Sequence, residues 1–138
     1  MRSSAHVHRF LLGAFFLASA VWTGLQPSAL DTALSQGYGL SAPILRALLI
    51  VGVIGVLLAL SFVFWMGYLK VAVWGSLAFL GLGILHSCFL YFTQAPSGCG
   101  CSFIPDSLAP SKSHQIAVLK NALLISLILL VPRRRLAS

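Results

Sequence analysis

Two cysteines separated by a single glycine are the residues of this sequence best suited to chemistry. Cys99 and Cys101 flank Gly100 in the stretch PSGCGCSF, and the chain of 138 residues contains three cysteines in all. A disulfide between positions i and i+2 departs from normal geometry, because in an extended strand the Cα separation nears the ~7 Å limit. Strain makes a disulfide easier to reduce and therefore more oxidising toward other thiols. The spacing predicts a redox pair that exchanges with partner thiols.

Two other roles fit the same residue types. The pair could form an inert disulfide that shapes the loop, although closing so short a loop removes little entropy from the unfolded chain. Alternatively, the thiolates of Cys99 and Cys101 could join His86 or His114 as ligands of a soft metal ion, since copper and zinc favour such sets. The C-x-C spacing does not choose among the three roles, and no metal site is assigned from it.

Two further side chains could assist the pair. Cys88 lies in the apolar stretch LHSCFLY, where a lone thiol is most often a small buried hydrophobe, and its functional alternative is a resolving cysteine. Lys120 lies about one turn below the outer end of the last apolar segment, and no acid lies in any apolar segment to neutralise it. Its ammonium either extends to lipid headgroups or faces the interior, where it could stabilise a Cys99 or Cys101 thiolate.

The composition indicates an integral membrane protein. Hydrophobic residues make up 59% of the chain and charged residues 8%, which is too few polar groups to coat a water-soluble globule. Nine Lys and Arg face two Asp and Glu, but the basic residues flank apolar segments, as in membrane proteins, so we expect a lipid bilayer and no nucleic acid as partner. The two acids, Asp31 and Asp106, lie in predicted loops, which excludes paired-carboxylate catalysis within the membrane.

Four apolar segments have about the ~17–25 residues needed to cross a bilayer. They are Arg9–Leu25, Pro43–Met66, Lys70–Phe92 and Gln115–Val131. The sequence therefore predicts an all-α fold, an integral membrane four-helix bundle that forms a single domain over residues 1–138. The first connection is expected to be a loop or a short interfacial helix, and the third, residues 93–114, carries the cysteine pair.

The basic residues predict the orientation in the membrane. Six of the nine fall on the side of the termini, and Arg46, Lys112 and Lys120 fall on the other side. Since the cytoplasmic side is the richer in Lys and Arg, both termini are expected inside a multi-pass inner-membrane protein, with Cys99 and Cys101 outside. Arg46 and Lys120 must then pair or extend toward the interface.

The N-terminus allows a second interpretation. The stretch MRSSAHVHRFLLGAFFLASA also has the basic start and apolar middle of a signal peptide, and Ala18-Ser19-Ala20 resembles a cleavage site. Cleavage would leave three spans. The apolar run continues past this point to Leu25, which favours a first membrane helix.

The layout resembles the MauE family of methylamine utilisation proteins, within the wider DoxX-like membrane group. The resemblance rests on four spans, a CGC motif followed by Phe103 in the outward loop, and the stretch KNALL, residues 120–124, in the last span. The family's loop usually reads Cys-Gly-Cys-Phe-Gly, whereas here Ser102 precedes Phe103 and no glycine follows. The family's glutamate in the second helix is also missing, since Ile44–Met66 contains no acid.

The resemblance implies periplasmic redox maturation, because MauE supports disulfide formation in the small subunit of methylamine dehydrogenase. We therefore expect a thiol–disulfide relay between Cys99 and Cys101 and a thioredoxin-like or other extracytoplasmic protein, in methylamine metabolism or another thiol pathway. Electrons could leave to a quinone. The alternatives are a non-catalytic scaffold or chaperone for a periplasmic partner and a membrane protein that handles soft metals.

Overall fold

The computed structural model of the protein describes residues 2–94 and 110–130. These residues form α-helices α1 (Arg2–Leu25), α2 (Pro27–Thr32), α3 (Pro43–Met66), α4 (Leu69–Phe92) and α5 (Pro110–Leu129), with a π-helical turn at Ala33–Gly37. No strand occurs within them, which confirms the all-α prediction. Three helical stretches are long and apolar enough to cross a membrane, namely His6–Leu25, Pro43–Met66 and Leu69–Phe92.

The helix ends differ from the predicted spans where polar residues continue a helix. α1 begins at Arg2 rather than Arg9, and α5 begins at Pro110 rather than Gln115. Helical hydrogen bonding does not depend on hydropathy, and proline is well suited to the first position of a helix. The connection that carries the cysteine pair is therefore shorter than predicted. α5 is not among the three helices apolar enough to span, because polar residues such as Lys120 and Asn121 lower its hydropathy.

The turn between α3 and α4 is as short as the sequence predicts. Gly67 follows the last residue of α3, its φ of 90° is left-handed, and its N–H donates to the carbonyl oxygens of Val63 and Phe64. Glycine adopts this conformation without the penalty that a Cβ brings, and it thereby caps the carbonyl end of α3. α4 begins two residues later, at Leu69.

The long helices pack as two pairs, α1 along α3 and α4 along α5, with fewer contacts between α3 and α4. Within the first pair, the Ser61 hydroxyl donates to the carbonyl oxygen of Gly13 at 2.7 Å. A Cβ at Gly13 would overlap the indole ring of Trp65. Small residues allow membrane helices to approach this closely, and side-chain bonds to backbone then hold them together.

A buried core joins the two pairs. The Phe16 and Phe64 rings stack with centroids 5.8 Å apart, and the core also contains Leu57, Leu80 and Leu124. Many other large apolar side chains are exposed along the helices. An outward apolar surface of this kind is expected where the surroundings are lipid.

The first connection crosses one end of the bundle, and we call residues 27–41 the lid. Arg46 of α3 holds one part of the lid: its Nε donates to Asp31 Oδ1 at 2.8 Å, and its Nη1 donates to the carbonyl oxygens of Leu40 and Ser41 at 2.8 and 3.2 Å. The short-helix prediction is thus confirmed for α2. The sequence predicts that Arg46 must either pair or extend toward the interface, and in the structure its guanidinium pairs with the Asp31 carboxylate.

Candidate functional site

A cavity of about 460 Å³ lies beneath the lid, between the two helix pairs. Its walls come from the second half of α1, the N-terminal and middle parts of α3, the middle and C-terminal parts of α4 and the middle of α5. These lining residues are Phe15, Phe16, Ser19, Thr23, Leu49, Val53, Leu57, Phe79, Leu80, Leu82, Gly83, His86, Lys120, Asn121 and Leu124, and the lid adds Leu30, Leu34, Tyr38 and Leu40. A cavity of this size is in the range that binds small organic molecules.

Most of the cavity wall is apolar. Three phenylalanines, Phe15, Phe16 and Phe79, line it together with leucine and valine side chains. Such a wall favours a ligand with an apolar or aromatic body, because its burial removes hydrophobic surface from water or lipid headgroups. The few polar groups then decide how that ligand is oriented.

Asn121 is the most deeply buried polar side chain on α5 that lines the cavity, with 6% of its surface exposed. Room for it comes from Gly83 of α4, because a Cβ at Gly83 would lie only 2.6 Å from Asn121 Nδ2. The sequence assigns no site role to Asn121, and only the pairing of α4 with α5 reveals one.

Lys120 lines the same cavity and is half-buried. The structure thus places this side chain on the inner face of the bundle, which is the second of the two positions that the sequence allows. An ammonium there adds a charged donor to a mostly apolar wall, next to the Asn121 amide. Its effect on a Cys99 or Cys101 thiolate stays a prediction.

A cluster of aromatic side chains joins the lid to α4 at the cavity rim. The Tyr38 hydroxyl lies 2.7 Å from His86 Nδ1, and the Tyr38 ring stacks on the rings of His86 and Phe89 with centroids 5.5 and 4.8 Å apart. His114 of α5 is also buried. It is 2% exposed, and among the described residues neither of its ring nitrogens has a hydrogen-bond partner.

Of the three cysteines considered in the sequence analysis, the structure describes only Cys88. Cys88 is a half-buried free thiol and is not among the residues that line the cavity. Cys99 and Cys101 lie outside the described residues, in the connection that begins after Gln94 and ends before Pro110. Within residues 2–94 and 110–130, no group of three His, Cys, Asp or Glu side chains is placed to hold a metal ion.

The fold and the cavity together define a helical protein with the features of a membrane protein and a mostly apolar internal site. No protein-family model, curated protein or solved structure gives a match to the chain. The chemistry of the site is therefore argued from its own side chains. They can hold an amphipathic molecule by its apolar body and donate hydrogen bonds to a polar group from Lys120 and Asn121.

Proposed function

We propose that the chain is a MauE-like membrane protein that supports thiol–disulfide maturation of an extracytoplasmic partner, with Cys99 and Cys101 as the exchanging pair. One observation carries the proposal. The cavity is lined by the middle and C-terminal part of α4 and by the middle of α5. Residues 95–109, which contain both cysteines, connect α4 to α5. Cys99 follows Gln94 by five residues.

The proposed reaction balances as a transfer of two electrons and two protons. A thiolate of the partner attacks the Cys99–Cys101 disulfide and forms a mixed disulfide. The partner's second thiol then displaces the cysteine, so that the partner becomes oxidised and both loop cysteines become thiols. A further acceptor must take two electrons and two protons from these thiols, and a lipid-soluble acceptor suits a site that lies within a membrane bundle.

The topology is part of the proposal. α5 serves as a fourth span, both termini face the cytoplasm of an inner-membrane protein, and the cysteine pair faces outward. In intact cells, a membrane-impermeant maleimide should modify Cys99 and Cys101 after mild reduction. It should not modify a cysteine introduced by Ser138→Cys in a variant that carries Cys88→Ser. Labelling of the introduced cysteine, with the loop pair protected, would contradict this topology.

Replacing the loop cysteines tests the relay against a non-catalytic scaffold. A partner variant that lacks its second cysteine can attack the Cys99–Cys101 disulfide but cannot resolve the product, so it should stay joined to the wild-type chain as a mixed disulfide, visible on a non-reducing gel and identifiable by mass spectrometry. The double variant Cys99→Ser/Cys101→Ser should abolish disulfide formation in that partner, while Cys88→Ser serves as the control and should retain it. A scaffold whose loop disulfide is only structural would keep most of the maturation activity in the double variant.

Lys120 should assist the exchange electrostatically. Its ammonium would stabilise a nearby thiolate and so lower the thiol pKa of the loop pair. Lys120→Met should therefore move the pH profile of the alkylation rate to higher pH, and the exposed Lys70, at the opposite end of α4, provides the control Lys70→Met. An unchanged profile in Lys120→Met would remove Lys120 from the mechanism.

A further inference from the structure

We infer that the cavity beneath the lid binds the ring of a lipid-soluble quinone, one of whose carbonyl oxygens accepts hydrogen bonds from Asn121 and Lys120. This assignment deepens the proposed function and rests on it for the choice of a two-electron acceptor. The site itself is argued from three features of the described residues: a buried amide, the space that admits it, and an apolar enclosure with a lateral opening.

The buried amide of Asn121 is the first feature. With 6% of its surface exposed, the amide is a hydrogen-bond donor and acceptor held in the wall of a mostly apolar cavity. Leaving such a group unpaired destabilises a folded protein, and it does so more in a membrane, where water is scarce. A ligand carbonyl in the cavity would accept a hydrogen bond from the amide N–H. An apolar side chain at this position would need no such partner.

Gly83 is the second feature, because it makes room for the amide. A Cβ at Gly83 would lie 2.6 Å from Asn121 Nδ2, which is closer than real side-chain contacts allow. Gly81, two residues away on the same helix, would meet nothing within 4 Å if it gained a Cβ. Of these two glycines, only Gly83 lies close against the Asn121 amide. This contact holds the amide against α4 at the cavity wall.

The enclosure is the third feature. Phe15, Phe16 and Phe79 line the cavity, and aromatic side chains favour stacking or edge contacts with a planar ring. Leu49 of α3 and Leu82 of α4 also line it, although 41% and 65% of their surfaces are exposed. Because these two side chains are exposed, we take the cavity to open toward the outer surface beside them. A hydrocarbon tail can leave through this opening into lipid.

A fatty acid is the rival occupant, since Lys120 could pair with a carboxylate. Moving a carboxylate from water into this wall carries a large desolvation penalty, and the wall offers few groups to offset it. A quinone is neutral and requires only donors to its carbonyl oxygens, which Asn121 and Lys120 provide. Its reduction also completes the relay: Cys99 and Cys101 form a disulfide, and their two electrons and two protons convert both carbonyl groups to hydroxyl groups.

The test is a binding titration with the full chain in quinone-free lipid nanodiscs. Decylubiquinone is the probe, and quenching of the fluorescence of the protein's tryptophans is the measurement. Asn121→Leu should raise the Kd about tenfold, because it removes a hydrogen bond to the ring oxygen. Gly83→Ala should raise the Kd in the same direction by displacing the amide, and Gly81→Ala should leave the Kd unchanged.

A stability measurement separates a ligand role from a packing role for Asn121. Without quinone, Asn121→Leu should raise the thermal unfolding temperature, because it removes a buried polar amide. A lowered unfolding temperature together with an unchanged Kd would overturn the inference. Binding of oleate in place of decylubiquinone, abolished by Lys120→Met, would overturn it in favour of the fatty acid.

The cysteine variants distinguish this inference from the proposed function. Cys99→Ser/Cys101→Ser should bind decylubiquinone with the wild-type Kd, because the described residues that line the cavity include no cysteine. If the double variant binds normally but partner maturation does not depend on the cysteines, the relay is wrong and the quinone site stands. If the wild-type chain oxidises its partner but binds no quinone, the site is wrong and the relay stands.

Discussion

Replacing Arg46 should open the lid without unfolding the helix pairs. Arg46 is the only described residue of α3 that makes both an ion pair and hydrogen bonds to the lid, reaching Asp31 and the carbonyl oxygens of Leu40 and Ser41. Arg46→Leu removes these donors and retains an apolar stem suited to the end of a membrane helix. The lid then keeps the contact of the Tyr38 hydroxyl with His86 of α4.

The size of the effect follows from how exposed the contacts are. The side chains of the ion pair are 18% exposed at Arg46 and 43% exposed at Asp31, so the pair contributes only about 0.5 kcal/mol. The two bonds to carbonyl oxygens add about 1 kcal/mol each at most, because the guanidinium remains partly accessible to water. A loss of about 2 kcal/mol corresponds to a roughly thirtyfold larger equilibrium constant for lid opening.

Hydrogen exchange measured by mass spectrometry on the full chain in nanodiscs checks this value. Amide exchange in the lid, including the Leu40 N–H that donates to the Leu34 carbonyl oxygen, should quicken about thirtyfold, while exchange in α4 stays the same. Asp31→Asn weakens only the ion pair and should quicken amide exchange in the lid about twofold. If amide exchange in the lid is unchanged in Arg46→Leu, or quickens equally in every helix, then Arg46 does not hold the lid in place.

Three further substitutions probe single contacts. Tyr38→Phe removes the hydroxyl 2.7 Å from His86 Nδ1 but keeps the stacked ring, so lid exchange should quicken about fivefold in the same assay. Gly67→Ala places a Cβ at φ 90° and within 2.9 Å of the Arg9 guanidinium, and it should lower the thermal unfolding temperature through a loss of about 1 kcal/mol or more. Ser61→Ala breaks the bond to the Gly13 carbonyl oxygen and should reduce the unfolding free energy by about 1 kcal/mol, measured by denaturant titration in detergent.

Local sequence determined the membrane character and the positions of the long helices. The apolar run Pro43–Met66 predicts α3 to the residue at both ends, because a proline begins it and Gly67 ends it, and both signals act within one turn. The helix α4 begins within one residue of its predicted start. The interpretation of Cys99 and Cys101 likewise belongs to the sequence alone, since both lie outside the described residues.

Polar residues made α5 harder to predict from hydropathy than the other long helices. Its start, Pro110, lies inside the predicted polar connection, and its hydropathy falls short of the three helices apolar enough to span a membrane. The same residues that weaken the hydropathy, Lys120 and Asn121, line the cavity. A polar residue in an apolar helix marks a functional candidate, but hydropathy registers it only as a weaker span.

Tertiary structure alone decided which side chains meet. Tyr38 and His86 are 48 residues apart in the chain and share a 2.7 Å contact, and Asn121 faces Gly83 only because α5 packs along α4. In a water-soluble helix the apolar stripe identifies the buried face, but in these helices apolar residues cover both the core side and the outer side. Sequence periodicity therefore cannot set helix rotation or pairing, which depend on close packing at small residues and on a few buried polar contacts.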